Sequence, residues 1–300
     1  MPASSSEALR SAVKPPDPPS PLAALLAQSR PLVMGIVNVT DDSFSGDGLK
    51  GDAAAAIARA RAQVEAGADL VDLGAESTRP GAAPVPFQQE IQRLLPVIEA
   101  LKREAPQVPI SVDTRNAATM RAVAVSGAHL INDISALRGE GSLEAAVRSR
   151  LPVVLMHMQG EPGSMQQAPQ YEDVVREVRD HLAARIAACR AAGIPRHRIL
   201  LDPGIGFGKT VAHNLSLLRR LDALGALGYP LLVGVSRKSF IGAIAREPEA
   251  ARRLPGSLAA ALWSAQHGAK ILRVHDVAET VQALAVWREI SDPADAGKTQ

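Results

Sequence analysis

Hydrophobic residues along this chain cluster into about eight short runs, and each run stops at a polar residue. A short continuous apolar run is typical of a strand that is buried on both faces of a parallel sheet. The polar residues that end the runs are Asn38, Glu76, Asp113, Asn132, Asp133, His157, Asp202, Lys238, Arg273 and His275. Polar side chains at the carboxyl ends of parallel strands lie where α/β barrels build their active sites.

Helical patterns separate the apolar runs. They are predicted at about 52–67, 86–104, 117–126, 142–150, 171–192, 213–224, 258–267 and 277–290, with Asp52 as the cap of the first. Several end at a glycine directly before the next run, namely Gly67, Gly127, Gly193 and Gly268. Glycine is favoured just past a helix end because it adopts a positive φ without a Cβ clash.

The repeated order of strand, polar loop, helix and glycine predicts a parallel sheet with right-handed crossovers. An open doubly wound sheet is the alternative, but about eight units without a break in composition favour a single (β/α)8 TIM barrel over residues 31–290. We predict a disordered tail with a short covering helix over residues 1–30 and a loose end over 291–300. The loops 40–51 and 77–86, after the first and second strands, are long and polar, which predicts mobile lids.

Composition argues against several classes of protein. The 300 residues carry a formal net charge of +2, and no basic cluster is interleaved with aromatic residues, so nucleic-acid binding is not expected. No apolar stretch approaches the roughly 18 residues that a membrane helix needs, so no membrane partner is expected. A single cysteine, Cys189, lies in an Ala-rich helical pattern, which indicates an inert thiol and a reducing, cytoplasmic compartment.

Several of the polar residues suit an anionic ligand. Arg79 lies in the second loop, where its guanidinium could bind phosphate oxygens or simply face solvent. Arg273 and His275 share one face of the last strand, because alternate side chains do, which favours a common anion over two unrelated rim residues. Lys238 and Ser239 lie where a strand meets a helix N-terminus, which attracts anions, although a solvated basic loop is the alternative.

The other polar residues that end the apolar runs have side chains that suit a heterocycle or a metal ion. Asp113 and Asn132 offer a carboxylate and an amide for N–H and C=O edges, or they bond to neighbouring loops. Asn38 is a candidate metal ligand through its amide oxygen, or it caps a turn. Asp202 belongs to the same group or begins an Asp-Pro turn. The residue types by themselves leave these alternatives open.

The segment PGIGFGKT, residues 203–210, ends as a Walker A loop does. That pattern requires glycine at its first position, where this chain has Pro203, so nucleotide binding is not expected. The histidines are scattered and form no H-E-x-x-H pattern, so a catalytic zinc site is not expected either.

Segments along the whole predicted barrel together resemble the dihydropteroate synthase family of folate biosynthesis. They are MGIVNVT, DSFSGDG, GADLVDLGAESTRPGA, ISVDT, INDI, LMHMQG, LLDPGIGFGK, GVSRKSFIG and RVHDV, within residues 32–288. The resemblance implies a TIM barrel, in agreement with the strand count. It also implies a transferase that condenses 6-hydroxymethyl-7,8-dihydropterin pyrophosphate with p-aminobenzoate in the presence of Mg²⁺, giving 7,8-dihydropteroate and pyrophosphate. A homodimer and a target of sulfonamides are implied as well.

The resemblance implies a role for each matching residue. The pterin edge would be held by Asp113, Asn132, Asp202 and Lys238, between apolar walls formed by Ile134, Met156 and Phe207. Pyrophosphate would be held by Asn38, Arg79, Arg273 and His275, with Asn38 also on Mg²⁺. The p-aminobenzoate site would be shaped by Thr78, Pro80, Lys238 and Ser239. Catalysis is expected to depend on Asp113, Asp202, Lys238 and Arg273.

The chain departs from the family pattern in three places. Asp41 replaces a usual proline, residues 45–48 read SGDG where the family commonly has SDGG, and Ala75 replaces a usual glycine. These changes leave open a weakly active or non-catalytic pterin-binding paralogue. A pterin-dependent methyltransferase on the same barrel is a further alternative, but the segments SRKS and RVHD favour a pyrophosphate substrate.

Overall fold

A computed structural model shows a closed barrel in which eight parallel strands follow one another in chain order. The structure describes residues 21–39, 48–76 and 85–291, excluding the side chains of 48–52. The strands are β1 (Leu32–Asn38), β2 (Leu70–Gly74), β3 (Ile110–Asp113), β4 (Leu130–Asp133), β5 (Val153–Met156), β6 (Ile199–Asp202), β7 (Leu231–Val233) and β8 (Ala269–Val274). Neighbouring strands pair in parallel and β8 pairs back to β1, so the predicted (β/α)8 TIM barrel is confirmed.

Helices alternate with the strands. They are α1 (Pro21–Leu26), α2 (Gly48–Glu65), α3 (Phe87–Glu104), α4 (Ala117–Ser126), α5 (Ser142–Ser149), α6 (Val174–Ala191), α7 (Val211–Arg219), α8 (Leu221–Gly225), α9 (Ser239–Ala245), α10 (Leu254–Gln266) and α11 (Val277–Ser291). Short 3₁₀ turns occupy Arg196–Arg198 and Ala250–Arg252. The glycines predicted to follow helices, Gly67, Gly127, Gly193 and Gly268, all have φ between 90° and 105°, as that role requires.

Some helix boundaries differ from the prediction. Asp52 lies inside α2 and does not cap it, because the helix already begins at Gly48. The helix predicted from residue 258 begins at Leu254. A proline is tolerated in the first helical turn, because the N–H group that it lacks would have no intrahelical partner there. The single helix predicted over 213–224 is two helices, because Arg220, with φ of −124° and ψ of 38°, interrupts it.

The amino end of the barrel is filled by apolar side chains. Interior residues from most of the strands form one buried cluster: Leu32, Met34, Leu70, Leu130, Val154, Leu200, Leu232 and Ile271. Leu22 of α1 is fully buried in the same cluster, so this helix covers the amino end of the barrel. A larger cluster packs the outward side chains of the strands, such as Val71 and Leu73, with the surrounding helices. The buried polar side chains of Asn132 and Asp202 lie beyond this layer, in the carboxyl halves of β4 and β6.

Other features of the prediction can be placed on this fold. Cys189 is buried in α6, and burial raises the pKa of its thiol, as expected of an inert packing residue. Among the described residues, none of the helices combines the length and the apolar composition that a membrane span requires. Most of each predicted lid loop, and most of the predicted tails, lie outside the described residues.

Candidate active site

Strand register aligns several predicted site residues on the carboxyl rim of the barrel. Asn38 lies opposite Gly74, Gly74 opposite Asp113, and Asp113 opposite Asn132. The ends of β1 to β4 therefore form a continuous row. On the other side of the rim, Met156 of β5 lies opposite Asp202 of β6, and Arg273 of β8 comes across the interior towards the row.

A buried ion-pair cluster connects β8 with β2, β3 and β4. The Arg273 guanidinium donates from Nε to Asp72 Oδ2 at 2.6 Å and from Nη2 to Asp113 Oδ2 at 3.1 Å. Asp72 also accepts from Asn132 Nδ2 at 3.1 Å and from Ser111 Oγ at 2.5 Å. Residues expected to contact the pterin, Asp113 and Asn132, thus share a hydrogen-bond network with Arg273, which is expected to contact pyrophosphate.

Burial controls the protonation of the carboxylates in this region. Desolvation raises the pKa of Asp113, whereas the charge of Arg273 opposes that rise and Asp72 adds to it. Desolvation also raises the pKa of Asp202, although Asp202 Oδ1 accepts a 2.6 Å hydrogen bond from the Gly204 backbone N–H. For Arg273, burial acts to lower the pKa, but Asp72 and Asp113 outweigh it and the pKa is raised. The guanidinium therefore stays charged inside the barrel.

Lys238, at the start of α9, lies near the same charged residues. It occupies the N-cap position of that helix, and its Nζ lies 4.1 Å from the centre of the Phe207 ring, a cation–π contact. Burial lowers the pKa of Lys238 to about 8, an effect opposed by Asp202 and reinforced by Arg273. Ser239, the first residue of α9, is exposed.

Apolar side chains form one wall beside these charges. Ile134 and Met156 are buried in a small cluster with Met158 and Met165, and Phe207 packs against it. This cluster is separate from the two large cores. The predicted wall residues are therefore brought together, with two further methionines that the sequence reading did not select.

His275 is held by a hydroxyl group from the loop that follows β7. Ser236 Oγ accepts from the His275 backbone N–H at 3.2 Å and lies 3.0 Å from His275 Nδ1. Since the hydroxyl oxygen already accepts that bond, we assign its proton to Nδ1, which leaves the ring proton on Nε2. Burial and then the charge of Arg273 lower the pKa of His275 to about 4. At neutral pH the neutral ring can donate one Nε2–H hydrogen bond to an anion.

Asn38 ends β1 with an exposed side chain, and its main-chain carbonyl accepts from Arg59 Nη2 at 2.9 Å. Within the described ranges no group of three or more His, Cys, Asp and Glu residues could hold a metal ion. Asn38 therefore has no cage of acidic neighbours among these residues.

Lys209, in the segment that resembles a Walker A loop, is buried and used internally. Its Nζ donates to the carbonyl oxygens of Gly204 and Phe207, both at 2.9 Å, and lies 3.0 Å from His157 Nδ1. Burial lowers the pKa of this ammonium to about 7. The side chain thus braces the loop after β6.

Some predicted residues cannot be placed. Thr78, Arg79 and Pro80 lie outside the described residues, as does Asp41. Glu76, at the edge of this gap, accepts from Arg115 Nη2 at 3.0 Å. Ala75 is fully buried, and its carbonyl accepts from Arg93 Nη1 at 3.0 Å.

Sequence reasoning missed Asp72, Ser111, Ser236 and Lys209. A signal existed for Asp72, because it is the only charged residue in the fully buried strand LVDLG and shares the interior face with Leu70. Ser111 is likewise on the same face of β3 as Asp113, because the two are alternate residues of that strand. The contacts of Ser236 and Lys209 depend on loop geometry, and no sequence pattern specifies them.

Known proteins resemble this chain over most of its length. The family model described as pterin binding enzyme matches residues 34–275. The dihydropteroate synthase of Escherichia coli strain K12 is 51% identical over 258 residues, which cover 86% of this chain and 91% of that protein. The dihydropteroate synthase of Neisseria meningitidis serogroup C is 49% identical, covering 87% of this chain and 93% of that protein.

Solved structures match equally well. The Xanthomonas albilineans dihydropteroate synthase with 4-aminobenzoic acid is 50% identical with a TM-score of 0.83, covering 88% of this chain and 94% of that chain. The same enzyme in complex with 7,8-dihydropteroate is 47% identical with a TM-score of 0.79 and the same coverage. The chain therefore belongs to the dihydropteroate synthase family of pterin-binding enzymes, whose members are transferases.

Proposed function

We propose that this protein condenses 6-hydroxymethyl-7,8-dihydropterin pyrophosphate with p-aminobenzoate to give 7,8-dihydropteroate and pyrophosphate. The observation that carries the proposal is the meeting of Asp113, Asn132 and Arg273 in one network, beside the wall formed by Ile134 and Met156. The Xanthomonas albilineans relative has been solved with 4-aminobenzoic acid and with 7,8-dihydropteroate, which supports the same ligands here.

The pterin ring would lie beside the apolar wall with its polar edge towards Asp113, Asn132 and Asp202. A carboxylate accepts from N–H groups, and an amide donates to C=O and accepts from N–H, so the set matches such an edge. Lys238, now over the Phe207 ring, would contact both the pterin and p-aminobenzoate. The Ser239 N–H, together with Thr78 and Pro80, completes the proposed p-aminobenzoate site on the strength of the family resemblance.

Catalysis is proposed to proceed by dissociative substitution at the pterin methylene carbon. The carbon–oxygen bond to pyrophosphate breaks, its electron pair leaves on the pyrophosphate oxygen, and positive charge develops on the methylene and ring. Asp113 and Asp202 would stabilise that cation, while Arg273, Arg79 and the Nε2–H of His275 would stabilise the departing anion. The amine of p-aminobenzoate then forms the carbon–nitrogen bond and loses a proton. Positioning carries much of the remaining rate, and no side-chain nucleophile is required.

The Asn38 amide oxygen fits Mg²⁺. This ion prefers oxygen ligands, keeps several waters, and is commonly held by one or two protein groups together with substrate phosphates. Asn38 is exposed at the end of β1, and the described residues supply no acidic cage, which suits an ion shared with a substrate pyrophosphate. When bound there, Mg²⁺ would neutralise charge on the leaving group. A cytoplasmic homodimer is part of the proposal and rests on the resemblance alone.

The test is formation of 7,8-dihydropteroate from the two substrates, with and without Mg²⁺. We expect Mg²⁺-dependent product from the folded wild-type protein. Binding of the pterin pyrophosphate without any product would instead support the pterin-binding paralogue suggested by Asp41 and the altered glycines. Absence of both binding and product would contradict the proposal.

A further inference from the structure

Asp72 is the most deeply buried charged group of the candidate site, and nothing in the proposed reaction uses it directly. It is fully buried on β2, two residues before the carboxyl end of that strand. Its two carboxylate oxygens accept hydrogen bonds from side chains of three other strands: Ser111 of β3, Asn132 of β4 and Arg273 of β8. A buried carboxylate is costly to place unless it is paired and hydrogen-bonded, so these contacts matter to the stability of this region.

The geometry of these bonds assigns different tasks to the two oxygens. Oδ1 accepts from Ser111 at 2.5 Å, and Oδ2 accepts both from Arg273 Nε at 2.6 Å and from Asn132 Nδ2 at 3.1 Å. A single oxygen atom therefore fixes the guanidinium and the amide relative to each other. An asparagine could offer only a neutral oxygen at this point, with its NH₂ towards the Ser111 hydroxyl, so the negative charge that holds the guanidinium would be lost.

The bond to Nε also limits how Arg273 can present its other nitrogens. A guanidinium is planar, so fixing Nε on Asp72 and Nη2 on Asp113 sets the plane of the whole group. The bond to Asn132 likewise fixes which way that amide turns, with its NH₂ towards Asp72 and its oxygen turned away from Asp72. A ligand that enters the site would therefore meet the Arg273 guanidinium and the Asn132 amide in these orientations.

We propose that Asp72 is a positioning residue that orients Arg273 for pyrophosphate and Asn132 for the pterin edge at the same time. This inference rests on the proposed function and adds to it a single buried carboxylate through which the pyrophosphate and pterin subsites are coupled. Asp72 does not contact substrate; it acts through the two side chains that do.

The experiment is a double-mutant cycle on Asp72 and Arg273. Asp72→Asn should lower kcat/KM for the pterin pyrophosphate about 10²-fold, the scale expected when a reacting group is misplaced by about 1 Å. In an Arg273→Ala background the same substitution should cost about 10-fold or less, because only its effect on Asn132 remains. Losses of equal size in both backgrounds would overturn the proposal, since a merely structural role does not depend on Arg273.

A matched control separates positioning from folding. Asp69, just before the same strand, also pairs with an arginine, with Arg30 Nη1 donating to its Oδ2 at 2.8 Å. That pair lies at the amino end of the barrel, so Asp69→Asn should leave kcat/KM within about 3-fold of wild type. Thermal unfolding of all variants shows whether each is folded. A similar loss of kcat/KM in Asp69→Asn and Asp72→Asn would contradict the inference.

The same double-mutant cycle can be measured without turnover, by using calorimetry to determine the affinity for inorganic pyrophosphate. Asp72→Asn should weaken it about 10-fold in the wild-type background and have little effect with Arg273→Ala. An inactive wild-type protein that still shows this coupling would count against the proposed function alone. An active wild-type protein in which the cycle is additive would count against the role of Asp72 alone.

Discussion

At the scale of single residues, the candidate site is organised around cations that are partly neutralised by buried carboxylates. Arg273 contacts both Asp72 and Asp113. The negative charges of Asp202 and Asp113 act to raise the pKa of Lys238, against the effect of burial. A guanidinium or ammonium in such a setting keeps a fixed place before ligand arrives. Preorganised charge of this kind is commonly the largest contribution to catalysis.

Arg273→Ala should damage pyrophosphate handling more than pterin binding. The substitution removes a proposed donor to the leaving group, which corresponds to a fall in kcat of about 10²–10³-fold. It also leaves Asp72 and Asp113 without their cation, so a smaller loss of pterin affinity is expected. Steady-state kinetics measure the first effect, and titration with free 6-hydroxymethylpterin measures the second. Equal loss of affinity for free pterin and for the pyrophosphate ester would contradict the assignment.

The pH dependence of kcat/KM should reflect Lys238. Burial lowers the pKa of this residue to about 8, so the side chain is charged below that pH and loses its charge above it. If the cation holds substrate, kcat/KM should fall as the pH rises through about 8, and this alkaline limb reports the free enzyme.

Lys238→Arg provides the check, because arginine stays charged throughout this range. The variant should lose the alkaline limb even if its overall rate is lower. Lys102→Arg, on the exposed surface of α3, should keep the wild-type profile. An unchanged limb in Lys238→Arg would show that another group produces it.

At the scale of single elements, the loop after β6 is tightly constrained where it borders the site. Gly204 has φ of +65°, and a Cβ added there would lie 1.9 Å from the carbonyl oxygen of His157. The Gly204 N–H binds Asp202, and its carbonyl binds the buried ammonium of Lys209. The backbone of this loop therefore sets the place of both Asp202 and Phe207.

Gly204→Ala should lower the free energy of unfolding by about 2–4 kcal/mol and reduce pterin binding, because the backbone must move away from His157. Gly225→Ala is the matched control, since a Cβ there meets nothing within 4 Å and alanine is the better helix former. Denaturant unfolding measures the first effect and ligand titration the second. A fully stable Gly204→Ala variant would show that the loop can relax at little cost.

At the scale of the whole molecule, the barrel separates stability from chemistry. Its amino end is closed by an apolar layer that includes Leu22 of α1, and its carboxyl end carries the charged network. Changes confined to the amino end should therefore alter folding energy and leave the rate alone.

Leu22→Ala tests this separation. Leu22 is fully buried, and removing its side chain should lower the free energy of unfolding by about 3 kcal/mol, while kcat/KM stays close to wild type. Leu25→Ala, at a half-buried position of the same helix, should lower stability by a smaller amount. Urea unfolding and steady-state kinetics provide the two measurements. A large loss of activity in folded Leu22→Ala would show that the two ends are coupled.

The sequence by itself determined the number and order of the strands, the positions of most helices, and the rim on which the polar residues lie. These features follow from local patterns, since a buried parallel strand must be a continuous apolar run and the residue that ends it must reach the carboxyl rim. The local pattern predicted the first residues of helices less well. At Leu254, the proline and glycine that follow are typical of a loop, but they belong to the first turn of the helix.

Only the tertiary structure decided which polar groups meet. Arg273 contacts Asp72 across 201 positions of sequence and Asp113 across 160, and these contacts exist because the barrel closes between β8 and β1. The same closure buries Lys209 against backbone carbonyls and so gives a segment that resembles a phosphate loop a structural role. A local pattern records that a side chain is polar and which face it occupies, whereas its partner depends on distances that exist only after the chain has closed on itself.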